Sequence, residues 1–366
     1  FTRRAQVRAC ASIRCPDQHA FRVSHTAFIR MPLGFSRLKV GRLASVGAAR
    51  PLKRLAAQTR EHYGNIMPDA SLRYVELQAT SHFSFLRGAS SCEELFSQAQ
   101  VCGIEALAIV DRNSVAGIVR AWEASKTTEV RLIVGCRLDL IDGTGLLVYP
   151  TDRKAYSRLC RLLSVGKRRA GKARCNIDWT DVADHAAGLI GVLVPNEADA
   201  DCAANLRRLH RTFAAGAYLA LSLRRRPGDA LRLHNLSNLA AQAGVPTVVT
   251  NDVLFHHPQR RLLQDVVTCV RHGCTIDELG FRRERHADRH LKPAEEMHRL
   301  FSKYPAALAR TLEIADRCRF SLRELEYQYP DEVSAPEMTA QQTLAQLTWE
   351  GAAWRYPEGL PDKVVA

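Results

Sequence analysis

The sequence predicts an α/β protein with a mostly parallel sheet, and two observations support this prediction. From about residue 72 to residue 275, short apolar runs alternate with longer amphipathic segments, which is the pattern of strands and crossover helices. Several of the runs end in polar residues, as strands do when chemistry sits at their carboxyl ends. About seven such strand–helix steps make an irregular barrel the natural closure.

The first unit is residues 73–90, which read RYVELQATSHFSFLRGAS. Its first apolar positions alternate with polar ones, and this predicts a strand that ends in a polar turn. A helix is predicted next, at residues 91–102. Its start is indicated by the capping-box pair Ser91 and Glu94, and its end by Gly103.

The later elements follow the same logic of apolar runs, caps and turn residues. Strands are predicted at 106–110, 132–136 (extended by 138–140), 145–149 as a hairpin partner, 189–194, 218–223 and 246–250. Helices are predicted at 114–126, 152–165, 200–214, 229–243 and 258–271, with a basic loop at 166–174. Beyond them we expect helices at the end of 289–301, at 305–318 and at 339–354, and an extended segment at 322–332.

Composition limits the classes of protein that the chain can belong to. It has 366 residues, of which 46% are hydrophobic, but no run of about 18 uncharged apolar residues, so no membrane span or membrane partner is expected. Eleven cysteines occur without a CxxC pair, and even the nearest ones, such as Cys269 and Cys274, have four residues between them. We therefore expect reduced thiols in the cytoplasm and no zinc site.

The net charge of +14 is unevenly distributed. Residues 1–66 hold 13 Lys or Arg and 2 acidic residues, which leaves a net charge of only +3 on residues 67–366. The basic leader is predicted to be mostly disordered, and Met67 is the favoured start of the native chain. A transit peptide or a nucleic-acid-binding arm are alternative interpretations of the leader. Bulk charge is thus weak support for DNA binding by the folded part.

Four motifs at predicted strand ends carry a family resemblance. They are Gln78-Ala79-Thr80 with Arg87 before Gly88, Asp111-Arg112-Asn113-Ser114, Gly135-Cys136-Arg137, and Asn251-Asp252-Val253-Leu254. With their flanking sequence, they resemble the PHP (polymerase and histidinol phosphatase) domain at the amino end of bacterial family C DNA polymerases. The similarity is to the error-prone, translesion branch of that family, and it covers residues 71–366.

Metal-binding PHP domains hold two or three ions through histidines and carboxylates at these strand ends. The resemblance implies seven ligand positions, which are occupied here by Gln78, Thr80, Arg87, Arg112, Arg137, Asp252 and Leu254. Asp252 alone has a ligand-type side chain, and arginine cannot ligate a metal. Asp111 is also kept in the second motif. We therefore expect a vestigial PHP site without a metal or another cofactor.

The three arginines suggest a replacement for the metal cluster. We expect Arg87, Arg112 and Arg137 to converge and to form ion pairs with Asp252, Asp111 and Glu76. The alternative is that these arginines extend into solvent. A further hypothesis is that the cluster binds a phosphate or the DNA backbone.

The resemblance also implies the wider organisation. It predicts a distorted seven-stranded barrel of PHP type at 67–275, and at 276–366 the end of the PHP domain and helices that lead into a polymerase palm absent from this chain. The implied parent activity is template-directed DNA synthesis in damage-induced mutagenesis and translesion repair. The palm aspartates that hold Mg²⁺ lie beyond the matched region, so this chain alone is expected to be a scaffold that does not polymerise DNA.

The implied partners belong to the full-length protein. They are DNA, bound through the polymerase domains, and mutagenesis and sliding-clamp proteins. Two alternatives remain open for this chain. One is a metal-dependent PHP phosphoesterase or 3′–5′ exonuclease. The other is a non-catalytic module that binds polymerase partners.

Other candidate sites have simpler interpretations. We expect His82, His256 and His257 to be solvated loop histidines. Asp199 and Asp201 resemble a Mg²⁺ clamp, but their place at a predicted helix start favours a role at the helix dipole. The basic loop at 166–174 is either a solvated charge run or a contact for a phosphate backbone.

Overall fold

The computed structural model describes residues 72–326 and 338–365. These residues belong to one compact unit. The predicted disordered leader at 1–66 and the favoured start at Met67 lie outside the described residues. No helix in the described ranges is long and apolar enough to cross a membrane.

The described residues form eight strands in two sheets. The strands are β1 (Glu76–Ala79), β2 (Ala106–Ile109), β3 (Arg131–Val134), β4 (Cys136–Asp139), β5 (Gly145–Pro150), β6 (Leu189–Val194), β7 (Ala217–Leu221) and β8 (Thr247–Val249). One sheet has the order β1-β2-β3 and is parallel. The other has the order β4-β5-β6-β7-β8, in which β5 is antiparallel to both of its neighbours. The predicted hairpin at 145–149 is thereby confirmed.

Gly135 separates β3 from β4, and this break corrects the expectation that residues 138–140 extend the third strand. A Cβ at Gly135 would lie 2.7 Å from Val110 Cγ1 and 2.9 Å from Tyr149 Cδ1. Only a residue without a side chain fits against these two side chains, and at this residue the chain leaves the first sheet and enters the second. Two isolated parallel bridges, Arg112 with Arg137 and Ala79 with Val253, also join the sheets.

Eleven α-helices occur in the described ranges. They are α1 (Cys92–Val101), α2 (Ile118–Lys126), α3 (Arg153–Arg169), α4 (Trp179–His185), α5 (Ala200–Phe213), α6 (Asp229–Gln242), α7 (Arg261–His272), α8 (Ala294–Leu300), α9 (Pro305–Arg317), α10 (Ala340–Arg355) and α11 (Asp362–Val365). The capping box of Ser91 and Glu94 at the start of α1 is confirmed. Helix α4 was not predicted from the sequence.

Several predicted segments differ from the structure. Helix α2 begins four residues later than expected, because residues 114–115 are irregular and residues 116–117 form a turn. Helix α3 runs on to Arg169, so the first four residues of the predicted basic loop are helical. Residues 322–324, predicted to be extended, form a 3₁₀ turn capped by Ser321. The rest of that predicted segment lies largely outside the described residues.

The apolar side chains form layers on both sides of the sheets. One cluster lies between them and takes buried residues from both, including Leu77, Ile133, Tyr149 and Tyr218. Two further clusters pack helices α1 and α2 on the smaller sheet and α3, α5 and α6 on the larger one. This layering leaves the strand ends as the place where polar side chains collect.

Candidate functional site

Backbone hydrogen bonds bring the predicted site residues to one end of the strands. The Thr80 amide donates to the Val253 carbonyl (2.9 Å), and the Val253 amide donates to the Gln78 carbonyl (2.8 Å). On the other side, the Arg137 amide donates to the Asp111 carbonyl (3.0 Å). The four sequence motifs therefore meet, although they are up to about 170 residues apart in sequence.

Asp111 is buried in a ring of neutral donors, which we call the serine pocket (Ser81, Ser84 and Asp111). Its carboxylate accepts from the Ser81 amide (2.9 Å), the Ser81 hydroxyl (2.8 Å) and the Ser84 hydroxyl (2.7 Å). Burial raises the pKa of Asp111, and the hydrogen bonds from Ser84 and Ser81 oppose that rise. With 1% exposure, the carboxylate is satisfied from inside the protein and holds the loop after β1 against the end of β2.

Arg112 and Arg137 converge, as expected, but their shared partner is Asp139. Arg137 Nε lies 2.9 Å from Asp139 Oδ1, and Arg112 Nη1 donates to Asp139 Oδ2. Burial and the neighbouring Arg137 lower the pKa of Arg112 to about 10. The two guanidinium groups more than offset the burial of Asp139, so its pKa lies below the usual range. We call Arg112 and Arg137, together with Asp139 that joins them, the arginine pair.

Asp252 is held by a different arginine. Its carboxylate accepts from Arg289 Nη2 (2.5 Å) and Gln78 Nε2 (2.7 Å), while Arg289 Nη1 also reaches Glu284 (2.7 Å). Although burial opposes it, the field of Arg289, then of Arg137, keeps the pKa of Asp252 below its usual value. The prediction that Asp252 and Asp111 are the ion-pair partners of the three arginines was therefore wrong in its pairing. Asp139 and Arg289 were not singled out from the sequence.

The remaining predicted site residues have structural surroundings. Thr80 and Leu254 are buried, and Leu254 packs with Ala89 and Phe255. Arg87 lies close enough to Arg112 to contribute to lowering its pKa. No carboxylate in residues 72–326 or 338–365 lies within ion-pair distance of the Arg87 side chain, so it does not make the ion pair predicted for it.

A second buried polar layer lies beneath Asp252. Glu76 accepts from the Tyr74 hydroxyl (2.9 Å) and the Gln78 amide (2.8 Å), and burial raises the pKa of its carboxyl. Lys292 donates to Asn251 Oδ1 (2.9 Å), and burial lowers the pKa of this lysine to about 8. The predicted arginine partner of Glu76 is thus replaced by neutral donors and a neighbouring lysine.

Backbone strain is concentrated around these strand ends. Six described residues other than glycine have positive φ, and four of them flank or form this site: Leu86 (57°), Asn113 (48°), Arg225 (52°) and Asp252 (49°). Left-handed conformations cost of order 1 kcal/mol or more for most side chains. Their accumulation at one edge is typical of a site whose side-chain directions are held for a purpose.

The residues present do not fit a multinuclear metal centre. In the described part of the chain, no three His, Cys, Asp or Glu side chains are grouped so that they could hold an ion. One buried acceptor, Gln78 Oε1, has no hydrogen-bond partner there. A single amide oxygen cannot offset the repulsion that Arg112 and Arg137, whose charges act on the neighbouring Asp252, would exert on a cation.

The other sequence candidates also acquire definite places. His256 and His257 are each 6% exposed, so the expectation of solvated histidines was wrong for both. Ser90 Oγ lies 2.8 Å from His256 Nδ1, and burial lowers the pKa of His256 to about 4. His82 is exposed, as expected. Asp199 caps α5 by accepting from the Cys202 amide (2.8 Å), which confirms its role at the helix start.

Residues 76–222 match the family model of the PHP domain. Error-prone DNA polymerase 1 of Agrobacterium fabrum is 65% identical over 292 residues, which are 80% of this chain and 27% of the relative. Error-prone DNA polymerase 2 of Rhizobium meliloti is 65% identical over 293 residues, with the same coverage.

The chain is thus a homologue of a segment of error-prone DNA polymerases, and it spans about a quarter of the length of these relatives. Among solved structures, a lesion-specific endonuclease from Pyrococcus furiosus is similar with a TM-score of 0.36 and 13% identity, covering 50% of this chain and 48% of that chain.

Proposed function

We propose that this chain is the amino-terminal part of an error-prone DNA polymerase and that its PHP domain is a metal-free scaffold. The arginine pair is the observation that supports the scaffold role. Arg112 and Arg137 stand at two implied ligand positions, and Asp139 crosslinks them. An ion-pair crosslink of strand ends holds them together as a metal cluster would, without activating water for hydrolysis.

We further propose that the two sheets form one distorted seven-stranded barrel, in which β3 and β4 are separate strands that follow each other across Gly135 and share one position in the wall. The bridges of Arg112 with Arg137 and of Ala79 with Val253 support closure on both sides. The central apolar cluster supports it too, because it takes residues from β1, β2, β3, β5, β6, β7 and β8. Side chains from all walls of a barrel meet in this way.

The proposed domain limits are 67–275 for the barrel and 276–366 for the junction to the palm. Helix α10 supports a junction, since Thr343 is its only buried residue in the described range, while Leu344, Leu347, Trp349 and Trp354 are at least 57% exposed. A helix with large apolar side chains in water is typical of a surface that packs on another part of a protein. For the whole polymerase, we propose template-directed DNA synthesis with Mg²⁺ during translesion repair in the cytoplasm. Its proposed partners are DNA and mutagenesis and sliding-clamp proteins.

Metal titration tests the scaffold role. We expect calorimetric titration of the purified chain with Mn²⁺ and with Zn²⁺ to show no stoichiometric binding of two or more ions at the strand ends. We also expect no hydrolysis of a generic phosphodiester above the level of Asp252→Asn. Tight binding of two ions, with hydrolysis that Asp252→Asn abolishes, would instead establish the phosphoesterase or exonuclease alternative.

The mass of the native product tests the polymerase assignment. An antibody against residues 72–326 should detect, in the source cell, a protein several times heavier than the 40.8 kDa of this chain. That product should incorporate nucleotides on a primed template. A native product near 40.8 kDa would contradict the assignment and favour the non-catalytic binding module.

A further inference from the structure

The arginine pair lies at the junction of two cavities that together form a strongly basic groove. The first cavity has a volume of about 570 Å³ and the second about 690 Å³, and the Arg112 side chain lines both. Eleven arginines and two lysines line them, against four carboxylates. Residues 67–366 as a whole carry a net charge of only +3, so this excess is a local feature of one surface.

Ion pairs account for only part of that charge. Arg225 pairs with Asp288 (2.9 Å), Arg283 with Asp265 (3.0 Å), and Arg289 with Asp252 and Glu284. These pairs fix the walls of the groove. By contrast, Arg226, Arg282 and Arg285 are exposed, and no carboxylate within 72–326 or 338–365 lies in ion-pair range of them. The second cavity adds Arg87, Lys167, Lys172 and Arg174. These four side chains also have no carboxylate of the described residues within ion-pair range.

Each cavity also carries an exposed phenyl ring. Phe281, at the edge of the first cavity, is 96% exposed, and Phe85, at the edge of the second, is 82% exposed. Each ring lies next in sequence, or nearly so, to a groove arginine. These are the two most exposed phenylalanines in the described ranges, and both line this groove rather than other parts of the surface.

We propose that the basic groove binds a single strand of nucleic acid through its phosphates and stacks unpaired bases on Phe281 and Phe85. Guanidinium groups recognise phosphate oxygens by paired hydrogen bonds, and aromatic rings that alternate with cations are the common platform for single strands. A duplex keeps its base faces stacked inside and offers none to a phenyl ring. The proposal goes beyond the metal-free scaffold and does not depend on it.

The strain at the strand ends supports a built site. Arg225 adopts a positive φ of 52° in the run of three arginines from 224 to 226. Its Nε is held by Asp288, while Arg224 Nη2 donates to the Pro195 carbonyl (2.8 Å). The first two side chains are therefore fixed by the protein, and the Arg226 side chain is left exposed at the groove.

Fluorescence anisotropy with a labelled oligothymidylate of about 20 nucleotides, longer than a typical single-strand site, tests the proposal on the full chain. The variant Arg226→Glu/Arg282→Glu/Arg285→Glu should bind at least about tenfold more weakly than the unchanged chain. Each lost phosphate contact lowers the slope of log affinity against log salt by about 0.7, so the slope should fall by about 2.

The matched control is Arg207→Glu/Arg211→Glu/Lys303→Glu, which makes the same change of charge at exposed positions outside the groove. Both triple variants keep residues 1–66 intact, so any binding by that basic segment cancels in the comparison. Equal weakening by the two variants would overturn the proposal, since bulk charge or the leader would then explain binding. Circular dichroism and thermal unfolding check that both variants fold.

Stacking has its own test. Phe281→Ala should weaken oligothymidylate binding at least about fivefold, the low end of base–aromatic stacking, and Phe281→Trp should restore it with quenching of the new indole fluorescence by DNA. Trp354→Ala, at an 82% exposed aromatic on α10, is the control and should change nothing.

Full competition by inorganic pyrophosphate at equal ionic strength would overturn the strand proposal in favour of a small-anion site. Equally tight duplex binding that is insensitive to Phe281→Ala would overturn it as well.

Discussion

Just after strand β2, two neighbouring residues have opposite surroundings. Asp111 turns into the serine pocket, where neutral donors surround an acid that is 1% exposed. Arg112 turns into the arginine pair, where an ion pair lies at the floor of an open groove and the side chain of Asp139 is 34% exposed. Ser84 Oγ joins the two regions, because it donates to Asp111 (2.7 Å) and accepts from the Arg112 amide (2.9 Å).

The difference shows two ways of stabilising a strand end that no longer fits a metal. Inside the protein, an acid must find all its partners locally, and removing it leaves buried donors without an acceptor. At a half-exposed site, water and salt can replace a lost partner, so the same ion-pair geometry is worth less. The serine pocket should therefore dominate stability, while the arginine pair should dominate the electrostatics of the groove.

The largest expected effect is at the serine pocket. Asp111→Ala should lower the free energy of unfolding by about 3 kcal/mol, because three donors lose their acceptor and each buried unsatisfied group costs about 1–3 kcal/mol. Urea denaturation followed by circular dichroism measures the change. Asp184→Ala, at an exposed acid on α4, is the control and should change stability by less than about 0.5 kcal/mol. Equal values for the two variants would show that the pocket is not a stabilising element.

A smaller effect is expected at the arginine pair. Asp139→Asn should cost about 1 kcal/mol at low salt, since it keeps the side-chain volume but leaves Arg112 and Arg137 to repel each other. Added salt should narrow the difference from the unchanged chain, because it screens that repulsion. Urea denaturation at low and high salt measures both values.

A second substitution identifies the origin of that cost. Arg112→Gln in the Asp139→Asn background should recover part of the lost stability, because only one guanidinium group then remains. The exposed pair of Glu123 and Lys126 (2.8 Å) is the matched control, and Glu123→Gln should cost less than about 0.5 kcal/mol. Further loss in the Asp139/Arg112 double variant would contradict the repulsion argument.

Local signals in the sequence predicted much of the fold. The capping box at Ser91, the cap at Asp199 and the hairpin after Gly143 depend on residues within a few positions of one another, and all three are present. The division of the strands between two sheets was not predictable in this way. It depends on the contact of Gly135 with Val110 and Tyr149, and those residues come together only in the folded chain.

The candidate site was predicted in its location but not in its pairing. Motif positions identified the strand ends, because a resemblance transfers positions reliably. Asp139 stands two residues after Arg137 on β4 and so shares its face, a signal that could have identified it. Arg289 carried no such signal, since it lies 37 residues from Asp252 and outside every motif.

The smallest expected effect is on the pH dependence of stability, which should have opposite signs for Asp139 and Asp111. The pKa of Asp139 is lowered in the folded state, so its stabilisation is present above the unfolded value near 3.9 and is lost as pH falls through the lower folded value. The pKa of Asp111 is raised, so the folded state takes up a proton first and is favoured as pH falls towards 4.

The stability advantage of the unchanged chain over Asp139→Asn should therefore shrink below pH 4. The free energy of unfolding of the unchanged chain, compared with that of Asp111→Asn, should instead rise as the pH falls from 7 to 4. Each change should stay under about 1 kcal/mol, and urea denaturation in steps of pH from 7 to 3 measures both. If the two differences moved in the same direction over the same range of pH, the contrast between the serine pocket and the arginine pair would not hold.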